Sequence, residues 1–164
     1  MIPEIKRILY TTDLSPNAAY AFRYALNSAK KHDANIIILH VVEEGAPFFE
    51  EERLKKIADK KITEATDRIK KRLKIFCDRE LKDDPECAHR VESIEVCQGY
   101  PPEEILRQAD ELNCDVIVMG THGKGIIRHS FLGSAAQKVL RRVRKPVFII
   151  PLPEGEIDIT IDDI

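Results

Sequence analysis

The residues whose types and spacing point most directly to chemistry lie between Met119 and Ser134. The run Met119-Gly120-Thr121-His122-Gly123-Lys124-Gly125 is followed eight residues later by Gly133-Ser134. Glycines let a backbone approach a bound group closely and adopt φ > 0. The segment leaves the end of an apolar strand-like run, Asp115–Met119, and closes on the start of a helix-like run at Ser134. Both places suit phosphate. Open α/β sheets bind ligands outside the carboxyl ends of their strands. A helix N-terminus presents unpaired N–H groups and a partial positive charge. The Ser134 hydroxyl adds a donor. Lys124 and Arg128 can neutralise phosphate charge or stand as solvated loop cations, and His122 can donate to a phosphate or lie exposed in the loop. Two familiar motifs do not fit. A Walker A loop needs Ser or Thr after its lysine, but Lys124 is followed by Gly125. A Rossmann fingerprint starting at Gly123 needs glycine or alanine where Arg128 stands, and belongs after the first strand.

Alternating strand and helix patterns must position that loop. Ile5–Thr12 reads as a strand ending at Asp13, and Ser15-Pro16 supplies an N-cap and a first-turn proline for a helix reaching about His32. Asn35–Val42 is an almost continuous apolar run, as expected of a parallel strand buried on both faces; His40 within it reads as a hydrogen-bonded core histidine. Glu50–Leu81 carries one apolar stripe through Leu54, Ile57, Ala58, Ile62, Ala65, Ile69, Leu73 and Phe76, expected to face the core. Val91–Cys97 follows as a strand. Prolines 101 and 102 open a short helix with Glu103 and Glu104 in its first turn. A helix over Ser134–Arg144 and a strand over Pro146–Pro151 complete the pattern. The order β-α-β-α-β-α-β-α-β predicts one α/β domain over residues 1–151: an open, parallel, five-stranded sheet in three layers, helices on both faces.

The spacing of Gly120, Gly123, Gly133 and Ser134 resembles the G-2x-G-9x-G-[ST] signature of ATP-binding universal stress proteins. Ile8–Asp13, Leu39–Val42, Asp115–Gly120 and Lys145–Ile150 are similar to that family's first, second, fourth and fifth strands. The resemblance implies a Rossmann-like fold of the adenine nucleotide alpha hydrolase type, holding ATP, AMP or ADP as a regulatory switch in a stress response. It implies that Asp13 accepts from ribose hydroxyls, although an acid placed before a helix also has a purely structural explanation. Thr11 and Val41 would flank adenine, Met119 and Gly120 would lie beneath the nucleotide, and His122 and Gly123 would meet the phosphates. Gly133, Ser134, Ala135 and Ala136 would cradle the phosphates, with Ala136 standing where many relatives carry a hydroxyl. Mg²⁺ or Mn²⁺ would ride on the phosphates without protein side-chain ligands. A homodimer joined at Pro146–Pro151 is also implied. A slow ATPase, or an enzyme transferring a phosphoryl or adenylyl group, is the competing reading; no base aimed at a γ-phosphate is evident. A receiver domain is disfavoured because Thr12-Asp13 and Cys97-Gln98 lack its acidic pair and acceptor aspartate.

Composition fits this picture. The 164 residues are 43% hydrophobic and 33% charged, and the net charge of −2 gives no overall attraction to nucleic acid or an anionic membrane. The basic run Lys138 to Lys145 is expected to oppose a helix dipole. No secretory signal or membrane span is apparent, so a cytoplasmic setting is expected. Abundant Lys and Glu lean towards a thermophilic source. The four cysteines form no C-x-x-C pair and read as free thiols, with a Cys77–Cys87 bridge as the alternative. Residues 152–164 form an acidic tail whose Glu156–Asp162 alternates with period two. It reads as a disordered tail, a sixth strand, or a strand lent to a partner.

Overall fold

The computed structural model describes residues 1–44, 50–82, 84, 86, 88–121 and 132–151. Five parallel strands form one sheet: β1 (Arg7–Thr11), β2 (Asn35–Glu43), β3 (Val91–Gly99), β4 (Val116–Gly120) and β5 (Val147–Ile150). Four helices connect them: α1 (Pro16–His32), α2 (Glu51–Glu80), α3 (Pro101–Glu111) and α4 (Ser134–Arg142). The spatial order is β3-β2-β1-β4-β5. The chain therefore builds outward from β1 to β3, then returns to the other side of β1 for β4. Right-handed crossovers place α1 and α2 on one face and α3 and α4 on the other.

Strand alternation separates two cores. Ile8, Tyr10, Ile36, Ile38, Val116 and Val118 are buried against α1 and α2. Leu9, Ile37, Leu39, Ile117 and Met119 are buried against α3 and α4. This double burial explains the unbroken apolar runs in the sequence. Ser15 caps α1 through its hydroxyl, which accepts from the Ala18 N–H at 3.4 Å, and Pro16 sits in the first turn. Ala18, Ala21, Ala25 and Ala29 bury a small-residue face against the sheet. Phe22 fills the space beside them, edge-on to Phe76 of α2 with ring centroids 5.3 Å apart.

The helix α2 departs from the expected core stripe. Ile69 and Phe76 are buried, but Ile57 is 40% exposed and Leu54 and Ile62 are only partly covered. Length explains this. At about 1.5 Å per residue the helix runs about 45 Å, whereas a nine-residue strand spans about 30 Å. The N-terminal part of α2 must outrun the sheet at the carboxyl end of β2. The ends of other elements shift by one or two residues. β3 continues to Gly99, α4 stops at Arg142, and β5 ends before Pro151 and begins after Pro146, neither of which has an N–H to donate. The tail from residue 152 lies outside the described residues, as do all three readings of it.

Candidate functional site

A crevice of about 810 Å³ opens at the carboxyl ends of β1, β2 and β4, where the strand order reverses. That is the position at which open α/β sheets bind ligands. Of the residues the sequence nominates, Thr11, Asp13, Val41, Met119, Gly120, Gly133, Ser134, Ala135 and Ala136 all line it. His122, Gly123, Lys124 and Arg128 lie outside the described residues.

Side chains alternate along strands, so the crevice has two wings. Thr11, Val41 and Met119 continue the row of Leu9, Ile37 and Ile117, and open on the α3/α4 side together with Pro101, Ile105 and Ala136. This wing is a narrow apolar slot ending at the start of α4. Gly133 is the N-cap of α4 and brings no side chain, and among the described residues no side chain caps the helix's first-turn amides. The Gly133 N–H donates to the Thr121 carbonyl at 2.6 Å, and the Thr121 N–H donates to the Ile150 carbonyl at 3.1 Å. These bonds pin the N-terminus of α4 against the tips of β4 and β5. Gly120 approaches α1 closely: a Cβ there would stand 3.3 Å from the Asn17 carbonyl oxygen, so α1 would have to give by a few tenths of an ångström.

The other wing faces α1 and α2. His40 and Val42 continue the row of Ile36 and Ile38, and Lys61, Glu64, Ala65 and Arg68 of α2 form the opposite wall. The Nδ1 of His40 is 2.7 Å from the Thr12 carbonyl oxygen. A carbonyl only accepts, so Nδ1 carries the proton. His40 is thus hydrogen-bonded in the core, as the sequence suggests, and it also borders the crevice.

Asp13 stands at the seam between the wings, on a turn held from four directions. Its Oδ1 accepts from the Ser15 N–H at 2.9 Å. Thr12 Oγ1 accepts from the Leu14 N–H at 2.9 Å, and the Thr12 N–H donates to the Leu39 carbonyl at 2.9 Å. Leu14 sits at φ 66°, a left-handed conformation unfavourable for a leucine. Its carbonyl accepts from Nη1 of Arg72 at 3.2 Å, an arginine only 6% exposed. Beneath the turn, Tyr10 donates its hydroxyl to the Ala18 carbonyl at 2.7 Å, and burial raises its pKa far above the ordinary tyrosine value. It stays a protonated donor. No hydrogen bond engages Asp13 Oδ2 among the described residues, and Asp13 lines the crevice.

Sequence reasoning misses the residues of α2. One signal exists: Ala58, Lys61, Ala65 and Arg68 share a helical face, and an alanine-rich face makes room beside it. Nothing in the sequence places that face over the strand ends. Among the described residues no group of three or more His, Cys, Asp or Glu can hold a metal ion. The basic run near α4 serves the fold. Arg141 and Arg142 lie in its last turn, and Lys145 donates to the Cys114 carbonyl at 2.7 Å. Cys77, Cys97 and Cys114 are free thiols; Cys87 lies outside the described residues. Burial, reinforced by a hydrogen bond to Glu104, pushes the Cys97 thiol up to about 11, and burial pushes Cys114 to about 11. No helix among the described residues is long and apolar enough to cross a membrane.

Comparison with known proteins follows the same lines. A model of the universal stress protein family matches residues 4–151. A universal stress protein of Thermus aquaticus is 33% identical over 150 residues, covering 88% of this chain and 98% of its own. Among solved structures, universal stress protein UspA from Lactobacillus plantarum superposes with a TM-score of 0.75 at 24% identity, covering 91% of this chain and 99% of its own. Another, a universal stress protein in complex with cAMP, gives a TM-score of 0.59 at 22% identity, covering 90% of this chain and 98% of that one.

Proposed function

The chain belongs to the universal stress protein family, and on that premise we propose that its crevice binds an adenine nucleotide, ATP foremost, as a regulatory switch in a stress response. The observation that carries this reading is the pairing of Asp13 with the uncapped start of α4 at one crevice. An acceptor for ribose hydroxyls and a donor cradle for phosphates sit at either end of an apolar slot. Adenine lies in the slot between Thr11, Val41 and Met119. Gly120 gives the nucleotide room, and Gly133, Ser134, Ala135 and Ala136 hold phosphates through backbone N–H groups. His122, Gly123, Lys124 and Arg128 complete the phosphate contacts, and Mg²⁺ or Mn²⁺ rides on the phosphates with water filling its remaining positions. The cAMP bound to one protein of the same fold supports an adenine ligand. Residues 1–151 act as one nucleotide-binding domain, and the free edge of β5 joins two copies into a homodimer.

Calorimetry with ATP tests the placement. Asp13→Ala removes a charged acceptor, so affinity falls by about 10- to 100-fold, following the ~1.5–3 kcal/mol of a charge-assisted hydrogen bond. Unchanged affinity would remove ribose from this position. Single-turnover assays with labelled ATP address the switch: product appearing within minutes at stoichiometric protein makes the chain an enzyme instead.

A further inference from the structure

The proposed nucleotide occupies one wing of the crevice and leaves the α1/α2 wing unassigned. That second wing is neither apolar nor blank. Lys61 and Arg68 stand two helical turns apart on the same face of α2, about 10 Å along the axis at about 1.5 Å per residue. Ala65 lies between them, 8% exposed, and its small side chain leaves a floor rather than a wall. Neither cation has an ion-pair partner among the described residues. Two acids, Glu43 and Glu64, line the same crevice without an ion pair to either cation among the described residues. Glu64 lies 3.7 Å from Lys60, and Glu43 stands exposed at the tip of β2. Both cations border the same crevice as Asp13. If Asp13 accepts from ribose hydroxyls, a substituent on the 2′ or 3′ oxygen points away from α4 and into this wing.

We infer that the α1/α2 wing is a second anion subsite, in which Lys61 and Arg68 receive a phosphoryl group. The group comes either from the 3′ position of a bound adenosine nucleotide or from free phosphate. Arg68 supplies a planar fork suited to phosphate oxygens and Lys61 a point charge beside it. The nucleotide-borne source rests on the function proposed above; the free-phosphate source does not.

Calorimetry on the whole protein with AMP, adenosine 3′,5′-bisphosphate and inorganic phosphate tests this, with the double variant Lys61→Ala, Arg68→Ala as control. Both positions are exposed and alanine is a strong helix former, so the variant keeps its fold. A nucleotide-borne group predicts that the bisphosphate binds at least tenfold more tightly than AMP. The double variant then loses that preference while its AMP affinity stays within twofold. A free-phosphate site predicts equal binding of the two nucleotides and saturable phosphate binding that the double variant abolishes. The subsite is refuted if neither phosphate probe distinguishes wild type from variant. Absence of both AMP and ATP binding to the wild type would defeat the proposed function, leaving the inorganic phosphate measurement to decide this one.

Discussion

The two wings of the crevice are made of different materials. The α3/α4 wing is built from backbone and small residues: Gly133, Ala135, Ala136 and the amides at the start of α4. Its geometry is fixed by strands and by the Gly133–Thr121 hydrogen bond. The α1/α2 wing is built from long side chains, with Lys61 and Arg68 on its wall and the buried Arg72 holding the Leu14 carbonyl behind the Asp13 turn. A backbone-built wall tolerates almost no added volume. A side-chain-built wall tolerates truncation at its surface but fails where a buried group supports it.

The sharpest test of this contrast is Gly120→Val, at the tip of β4 where the strand's backbone meets α1. The first added carbon already stands 3.3 Å from the Asn17 carbonyl oxygen, and two further methyl groups force α1 away from β4. We expect a stability loss of about 1–3 kcal/mol by denaturant titration, the usual scale of overpacking. Nucleotide binding should be lost as well. A variant with wild-type stability and affinity would show that the contact of β4 with α1 yields more readily than its close approach implies.

Arg72→Met comes next in size. It keeps the bulk of the aliphatic stem but leaves the Leu14 carbonyl without that donor in a buried place. The expected destabilisation is about 1–3 kcal/mol. With the strained Leu14 released, Asp13 is no longer held at the seam, and nucleotide affinity falls several-fold. An unchanged melting midpoint together with unchanged affinity would mean that the turn holds itself.

The smallest effect concerns thiols packed under the α3/α4 wing. With Cys97 and Cys114 both pushed up to about 11, the folded protein favours the neutral form. Their contribution to stability is therefore complete below the unfolded thiol value of about 8.5 and fades as pH rises towards about 11. Alkylation at pH 8 should be slow, since roughly one thiol in a thousand is then ionised, against about one in four for an unperturbed cysteine. Rapid labelling of either cysteine at pH 8 would contradict close packing on that side.

The same contrast governs how much of the molecule is legible in its amino-acid sequence. The three central strands are legible because burial on both faces writes unbroken apolar runs, as at Asn35–Val42, whereas the edge strand β3 is read from alternation. Gly133 and Ser134 of the α3/α4 wing are legible because a glycine opening a helix is a recognisable phosphate-cradling pattern. The α1/α2 wing is not. Lys61 and Arg68 look like any cations on a charged helix until the lengths of α2 and β2 are compared. Arg72 falls within the same charged helix, and nothing local ties it to Leu14. The stripe through Ile57 misleads for the same reason: periodicity reports which residues share a face, not how far the surface beneath that face extends.

The contact between Arg72 and Leu14 joins positions 58 apart in the chain, and β1 finds its second neighbour only at Val116–Val118. During synthesis, the Asp13 turn emerges long before the groups that hold it. Translation at about 5–20 residues per second leaves the ribosome-bound chain without a finished crevice for some seconds. A small molecule that recognises the finished crevice is then met only by completed molecules, so the ligand responds to the amount of mature protein and not to its nascent precursors.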